Sequence, residues 1–347
     1  MSDNMPKKNF LSFQLDPKLF EPATQEEKEQ QVQMRESVSF MKDAMRRLYK
    51  NKLSMVCIII IVVIMLIAFI APSVYPYTYE AQDLSRKYLE PFEYSQKEQA
   101  AIDAGESVFP HLMGTDALGR DYAIRVIYGT RISLLVGIFA AAIVIVFGIL
   151  YGSVSGYFGG KVDMIMMRIV DVIYALPDVL IIILLSVALK DAISKSSSEL
   201  VMKLGAGMVS IFIVFGLLYW VGMARQVRGQ ILSIKEQEYV LASRAIGASP
   251  ARIIRKHMIP NCISVIIITA ALQIPSAIFT ESFLSFLGLG VSMPMPSLGS
   301  LASDARTGLV SYPYLLLCPA LSIFLIVLSF NLLGNGLRDA FDPKLRS

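Results

Sequence analysis

Glu236 to Asn261 reads EQEYVLASRAIGASPARIIRKHMIPN, a charged and helix-prone segment that separates two long apolar runs. Ser233 is predicted to cap a helix start, so that Glu236 and Glu238 fall in the first turns, where carboxylates favour the positive end of the helix dipole. Gly247 is predicted to lie just past the end of this helix, because glycine readily adopts the left-handed conformation found there. The segment therefore begins with one short helix.

A second short helix is predicted to follow directly. Ser249 is a suitable N-cap, and Pro250 occupies the first helical position, where an N–H group would have no helical partner. Pro260 is expected to end or kink this helix where the next apolar run begins. Two short helices set at an angle on a membrane face would form a docking surface for a cytoplasmic partner. The alternative is a plain amphipathic connector.

The composition is that of a membrane protein with several crossings. Of the 347 residues, 54% are hydrophobic and only 17% are charged, so an all-α membrane protein is predicted. The net charge of +4 is too small to indicate a nucleic-acid partner. The three cysteines and two histidines lack metal-ligand spacing, so no metal site is predicted.

Six apolar runs predict six transmembrane helices. Basic residues cluster before the first run and between positions 225 and 261, whereas acidic residues outnumber basic ones by nine to five between positions 77 and 130. By the positive-inside rule, both termini and the loop at about 225–261 are predicted to be cytoplasmic, and the loop at about 75–131 to be external. The runs are Met55–Ala71, Leu134–Gly152, Val172–Leu189, Gly205–Ala224, Cys262–Phe286 and Tyr314–Leu333.

The chain before the first run divides into two parts. Residues 1–36 are polar and lack the apolar core of a cleaved signal peptide, so a cytoplasmic tail is predicted. Residues 37–52 read SVSFMKDAMRRLYKNK and place an apolar stripe beside basic residues on a helix, which suits the headgroup plane of a membrane. A solvated basic linker is the alternative. Residues 53–347 then form the transmembrane domain.

Polar side chains inside the apolar runs are candidates for lining a path through the membrane. Asp178, Gln273 and Glu281 are predicted there, because intramembrane ionisable residues usually face a bundle interior or water. Capping of the backbone freed by the proline before Asp178 is an equal alternative for that residue. Asp171 can pair with Arg168, one helical turn earlier.

Small residues in and after the second run predict close packing and a turn. Gly137 and Gly148 permit helices to approach closely. Residues 156–163, GYFGGKVD, are predicted to form a tight turn. A phosphate-binding loop is excluded there, because Ser155 and Val162 stand where that motif requires its first glycine and its serine or threonine.

Ala242, Gly247, Ile259 and Pro260 resemble the EAA loop of ABC-importer permeases, which has the form E-A-A, three residues, G, nine residues, I-x-L-P. The departures from that motif are Leu241, Ser243 and His257. In this family the loop contacts an ATPase subunit, so the resemblance implies contact residues in the same segment. These are Glu238, Tyr239, Ala242, Ser243, Gly247, Ala248 and Pro260.

A second motif resembles one branch of this family of permeases. Residues 111–121, HLMGTDALGRD, are similar to the H-x-L-G-T-D-x-x-G-R-D signature of C-type permeases of dipeptide and oligopeptide importers, and residues 281–290 and 331–343 resemble the closing signatures of that family. The outer-loop signature residues are Gly114, Asp116, Gly119, Arg120 and Asp121. They are expected to form turns closed by local hydrogen bonds, which shape the outer end of the bundle where a binding protein docks.

The resemblance, which covers about residues 37–347, implies a type I ABC importer permease fold with an N-terminal elbow helix and a cytoplasmic coupling-helix loop. It implies a non-enzymatic subunit that forms half of a path for peptides, in a heterodimer with a second, related permease. ATP and Mg are expected on two separate ATP-binding subunits, and an extracytoplasmic binding protein is expected to deliver the cargo. This chain is expected to bind no cofactor and no nucleic acid, and to lie among the lipids of a bacterial plasma membrane.

Two other functions are compatible with parts of this sequence. Within the same family, the cargo can be nickel complexes or other small solutes instead of peptides. A self-sufficient secondary transporter would show internal repeats and broken helices with intramembrane charges. The halves of this sequence show no convincing repeat, and its most elaborate segment is a loop, which favours the importer subunit.

Overall fold

The computed structural model describes residues 40–195, 198–291 and 295–341. The predicted tail at 1–36 lies outside these residues. One compact unit comprises Ala44–Ser347, and the described part of the N-terminal unit, residues 40–43, forms the first turn of a helix.

The described chain is largely helical, as predicted, and five of its helices are long and apolar enough to cross a membrane, or up to six spans if one bent pair counts as a span. We number the spans in chain order: span 1, Lys52–Val74; span 2, Tyr122–Phe158; span 3, the pair Gly160–Ala175 and Asp178–Ser194; span 4, Ala206–Leu218 with Trp220–Ile234; span 5, Ile263–Phe286; span 6, Tyr314–Phe341. Shorter helices lie before and between the spans: Phe40–Lys50, Leu84–Arg86, Gln96–Asp103, Glu199–Leu204, Glu238–Ala245, Pro250–Ile253, Ile259–Asn261, Leu298–Asp304 and Ala305–Gly308.

A helix does precede span 1, at Phe40–Lys50. Ala44 and Leu48 are buried one turn apart on its inner face, as expected for an amphipathic helix. Asn51 then caps span 1, because its side chain accepts a hydrogen bond from the backbone N–H of Ser54 at 3.2 Å. The position of this helix in the headgroup plane stays a prediction.

The third apolar run forms two helices. Span 3 is broken, and its two helices meet at an angle of 90°. The break lies at Leu176 and Pro177, which are both extended. Proline supplies no N–H for the helix and drives the preceding residue out of the helical region, so this pair interrupts a run that average hydropathy shows as continuous.

Span 2 is longer than the apolar run that predicted it. Asp121 caps its start by accepting a hydrogen bond from the N–H of Ile124 at 3.0 Å, so the preceding loop ends at residue 121 and not near 131. The predicted tight turn at 156–163 is also shorter than expected. The helix continues to Phe158, and only Gly159 and Gly160, with φ of 64° and 51°, form the turn.

The close packing predicted for the glycines of span 2 is confirmed. A Cβ atom at Gly148 would lie 2.4 Å from the side chain of Met223, and one at Gly152 would lie 2.5 Å from the carbonyl oxygen of Ala224. Spans 2 and 4 therefore touch backbone to backbone, as small residues allow in a membrane. Span 4 itself continues to Ile234, so Ser233 lies inside a helix and does not cap one.

Candidate functional site

The segment 238–261 forms a pair of short helices, which we call the helical pair: Glu238–Ala245 and residues 250–261. Gly247, with φ of +82°, ends the first helix as predicted. Its N–H donates to the carbonyl of Arg244 at 3.0 Å, and the N–H of Ala248 donates to the carbonyl of Ser243 at 3.1 Å. This is the Schellman arrangement, which satisfies carbonyl groups at a helix end.

The second helix of the pair runs directly into span 5. Pro250 occupies its first position, as predicted. Pro260 lies in a short helical turn, Ile259–Asn261, which follows a π-helical turn at Ile254–Met258 and ends at Cys262, where the next apolar run begins, as predicted. Backbone hydrogen bonds nevertheless continue across Cys262. The N–H of Cys262 donates to the carbonyl of Met258 at 3.1 Å, and the N–H of Ile266 donates to the carbonyl of Cys262 at 3.1 Å.

Three side chains fix the helical pair to the bundle. Val240, Ile253 and Met258 are fully buried. They pack in one apolar cluster with residues of spans 2, 4 and 5: Val144, Met223, Val227, Ile231, Cys262 and Ile266. Burying a side chain of this size stabilises a protein by about 1.5–3 kcal/mol when water is the alternative, so both helices are held firmly.

The opposite face of the helical pair is open. Ile246 is 85% exposed, and Tyr239 and Leu241 are also exposed. Of the contact residues predicted from the sequence, five are exposed and two are half-buried. The exposed ones are Glu238, Tyr239, Ala242, Gly247 and Pro260, and the half-buried ones are Ser243 and Ala248. Ile246 was missed, although an isoleucine beside the helix-ending glycine of a charged segment is a signal for an exposed apolar contact.

At the other end of the bundle, the signature glycines of the 75–121 loop allow close backbone contact. Gly114 and Gly119 have φ of 71° and 68°. A Cβ atom at Gly114 would lie 2.3 Å from the carbonyl oxygen of Leu89, and one at Gly119 would lie 1.8 Å from that of Asp83. Both positions therefore require glycine, since the left-handed conformation and the lack of space act together.

The carboxylate of Asp116 holds two buried arginines. Arg120 contacts it through Nε at 2.7 Å, and Arg125 through Nη1. Asp116 also accepts hydrogen bonds from the N–H groups of Leu118 and Arg120, at 2.8 and 3.1 Å. Asp304 lies 3.7 Å from the second guanidinium. The turns closed by local hydrogen bonds, which the sequence predicts, are therefore present. They are extended by a network of charged side chains that no local sequence pattern indicates.

His111 links two further carboxylates of the same loop. Its Nδ1 lies 2.7 Å from the carboxylate of Asp121 and its Nε2 lies 3.1 Å from that of Glu98. Arg86 reaches Glu98 at 3.0 Å. Burial alone would raise the pKa of Glu98, but hydrogen bonds from Ser95 and the positive charges beside it outweigh burial and lower that pKa. The contacts with Glu98 hold the loop together, and the contact with Asp121 ties it to the residue that caps span 2.

Polar side chains follow one face of span 5. Thr269, Gln273, Ser276 and Thr280 recur every three to four residues, which places them on one side of a helix. Gln273 and Ser276 line both of two neighbouring cavities. The larger cavity, about 660 Å³, is bounded by spans 3, 4 and 5, and the smaller cavity, about 390 Å³, by spans 4, 5 and 6. Gln273, predicted to line a path, therefore lies where a path can form.

The two other path candidates differ from Gln273. Glu281 is fully buried and lines neither cavity. Its carboxylate accepts hydrogen bonds from Ser133 at 2.8 Å and Ser285 at 2.7 Å, so it joins span 2 to span 5, and its position favours a structural role over the predicted path-lining role. The side chain of Asp178 lies outside the described residues.

Two ion pairs hold the first half of span 3 to span 4. Arg228 contacts Asp163 through Nε and Nη2, both at 2.5 Å, and Arg225 contacts Asp171 at 2.6 Å. The pairing suggested for Asp171 with Arg168 was therefore wrong, because a residue 54 positions later comes closer. Among the described residues, no group of three or more His, Cys, Asp or Glu side chains is arranged to hold a metal ion.

Comparison with known proteins identifies the family. Residues 146–347 match the family described as the binding-protein-dependent transport system inner membrane component, and residues 39–91 match the N-terminal transmembrane domain of oligopeptide transport permease C. The oligopeptide transport system permease protein OppC of Bacillus subtilis is 42% identical over 94% of this chain and 97% of its own length. The dipeptide transport system permease protein DppC of the same organism is 44% identical over 90% of this chain and 88% of its own length.

A relative named for a third cargo aligns with a similar share of this chain. The glutathione transport system permease protein GsiD of Pectobacterium atrosepticum is 35% identical over 87% of this chain and 90% of its own length. The match over residues 146–347 contains the helical pair and both cavities. This chain belongs to the family of inner membrane components of binding-protein-dependent transport systems, and it is a multi-pass membrane permease.

Proposed function

We propose that this chain is the permease subunit of an ABC importer for peptides, and that it forms half of the transmembrane path. The observation that carries the proposal is the continuity between the helical pair and span 5. An exposed docking surface is joined to the polar face that borders both cavities by successive helical turns whose backbone hydrogen bonds continue across Cys262. A push on the surface would therefore move the wall of the path.

The other half of the path would come from a second, related permease. Two ATP-binding subunits would hold ATP and Mg and hydrolyse the nucleotide, so this chain is not an enzyme and needs no cofactor. The basic residues of the helical pair support a cytoplasmic position for it and for both termini. The 75–121 loop then faces outward, where an extracytoplasmic binding protein would dock.

The coupling contact would centre on Ile246, which is almost fully exposed. Tyr239 and Glu238 lie on the adjoining helix, and Gly247 leaves open space beside it, since no atom would come within 4 Å of a Cβ there. An apolar side chain surrounded by polar ones is typical of the centre of a protein interface. These residues would fill a groove of one ATP-binding subunit.

Peptides are the proposed cargo for two reasons. The relatives above are named for oligopeptide, dipeptide and glutathione transport, and these cargos share amide groups. The polar face of span 5 offers neutral hydroxyl and amide groups, which can hydrogen-bond to a peptide backbone whatever its side chains are. A nickel complex would need no such row of neutral groups.

The proposal is tested by purifying the tagged chain from its native membrane and identifying what accompanies it. We expect a second permease and ATP-binding subunits, and ATP-dependent uptake of radiolabelled peptides after reconstitution with the binding protein. Recovery of the chain alone, or uptake that proceeds without ATP, would contradict the importer and favour a self-sufficient transporter.

A further inference from the structure

The smaller cavity lies at the end of the bundle nearest the helical pair. It is formed by Gln226 of span 4, the early part of span 5, and Arg338, which lies in the last turn of span 6. Gln273 and Ser276 connect it to the larger cavity. Cargo that moves along the polar face of span 5 would therefore reach this cavity last, before the cytoplasm.

The described polar side chains that line the smaller cavity are neutral except for one guanidinium. Arg338 is the one charged residue among its described lining residues. The hydroxyl of Thr269 donates to Oε1 of Gln226, which leaves the amide nitrogen of Gln226 available to donate to a ligand. A cavity with a guanidinium, a free amide donor and no lining carboxylate is suited to an anion.

Arg338 also differs from the other arginines near the spans. Arg225 and Arg228 contact aspartates of span 3, and Arg125 contacts Asp116. For Arg338, the structure shows no ion pair with any residue in the described ranges 40–195, 198–291 and 295–341, and this guanidinium lines a cavity instead. A guanidinium pairs most strongly with a carboxylate, because its planar N–H groups match the two oxygens.

We propose that the smaller cavity binds a carboxylate of the cargo as the cargo leaves the path. Arg338 supplies the charge, and Gln226 donates a second hydrogen bond. This inference rests on the proposed function, because a linear peptide with an unmodified C-terminus carries a carboxylate there. The residue would act as a specificity determinant of the permease, in addition to any selection by the binding protein.

The test uses the complete importer in proteoliposomes and two probes, trialanine and its C-terminal amide. Because the binding protein can itself distinguish these peptides, each variant is compared with wild type for each probe separately. Arg338→Gln should lower the initial rate of trialanine uptake about tenfold and that of the amide less than twofold. Arg338→Lys, which keeps the charge but not the planar fork, should fall between Arg338→Gln and wild type.

Arg168→Gln is the matched control, since Arg168 is exposed on span 3 and lines neither cavity. It should leave both rates within twofold of wild type, while equal amounts of each variant are recovered in the membrane. Equal losses of both peptides in Arg338→Gln would show a structural or lipid-anchoring arginine and overturn the carboxylate site alone, as would no loss of either. Failure of the wild-type importer to take up either peptide would instead refute the proposed function, and the carboxylate site with it.

Discussion

The two ends of this bundle use similar sequences in opposite ways. Both the 75–121 loop and the helical pair combine glycines in a left-handed conformation with acidic and basic side chains. Around Gly119, neighbouring backbone fills the space where a side chain would lie, whereas around Gly247 that space is empty. Asp116 is buried between two arginines, whereas Glu238 is exposed. The end that contains the 75–121 loop is therefore a tightly packed scaffold, whereas the helical pair presents an open surface on which a partner can dock.

The largest effect should come from filling the space at Gly119. Gly119→Ala should cost more than about 4 kcal/mol, because the left-handed conformation and a collision with the carbonyl of Asp83 add together. Gly247→Ala is the matched control, with a similar φ and no neighbour, and should cost about 1–2 kcal/mol. Thermal unfolding in detergent measures both. Equal losses would contradict the contrast between the two ends.

Removing the charge that the two buried arginines share should have the next largest effect. Asp116→Asn leaves Arg120 and Arg125 without that carboxylate, and should destabilise the protein by about 3 kcal/mol. The control is Asp191→Asn, which breaks an exposed pair with Lys195 and should cost less than about 0.5 kcal/mol. If the unfolding temperatures of the two variants agree, the loop network is not a scaffold.

A charge on the open end should weaken docking without affecting the fold. Ile246→Asp should lower the affinity for the ATP-binding subunits about tenfold, roughly 1.4 kcal/mol, because the aspartate would be buried without a partner. Val310→Asp, at a 97% exposed valine of the loop before span 6, should leave that affinity unchanged. Titration of the purified chain with the ATP-binding subunits gives both values. Unaltered binding by Ile246→Asp would exclude this residue from the interface.

The smallest effect should be a pH dependence confined to the 75–121 loop. Because the pKa of Glu98 is lower in the folded protein, its stabilising contribution is complete above its ordinary value of 4.5 and is lost as the pH falls through the folded-state value. Glu98→Gln should therefore unfold at a lower temperature than wild type at pH 7, and the difference should shrink below pH 4.5. A difference that stays constant down to pH 3 would show that the charge of Glu98 contributes nothing.

Helix boundaries could be predicted from the sequence where the backbone chemistry of a single residue sets them. Gly247 and Pro250 mark helix boundaries by their own backbone chemistry, and both boundaries are confirmed. Pro177 is an equally local signal, because proline frees backbone groups inside the third apolar run, and the helix is interrupted there. The angle of 90° between the two helices is not a local property, since average hydropathy reports membrane depth and not helix direction.

Interactions between residues far apart in the chain could not be predicted from the sequence. The contacts of His111 with Glu98 and of Arg225 with Asp171 join positions 13 and 54 residues apart, and no local period predicts them. Polarity inside a membrane shows that a residue needs partners, but not where they lie. Gln273 and Glu281 therefore look alike in the sequence, although Gln273 lines both cavities and Glu281 contacts serines of spans 2 and 5.

We propose that the helical pair transmits motion from ATP-binding subunits to span 5. The most direct test is ATP-driven peptide uptake by the complete importer with Gly247→Leu, compared with Gly105→Leu. Both glycines have a left-handed φ and open space around them, but only Gly247 lies in the helical pair. With equal amounts of each variant in the membrane, we expect Gly247→Leu to abolish uptake and Gly105→Leu to retain more than about half. Normal uptake by Gly247→Leu, or an equal loss in both variants, would contradict the coupling role.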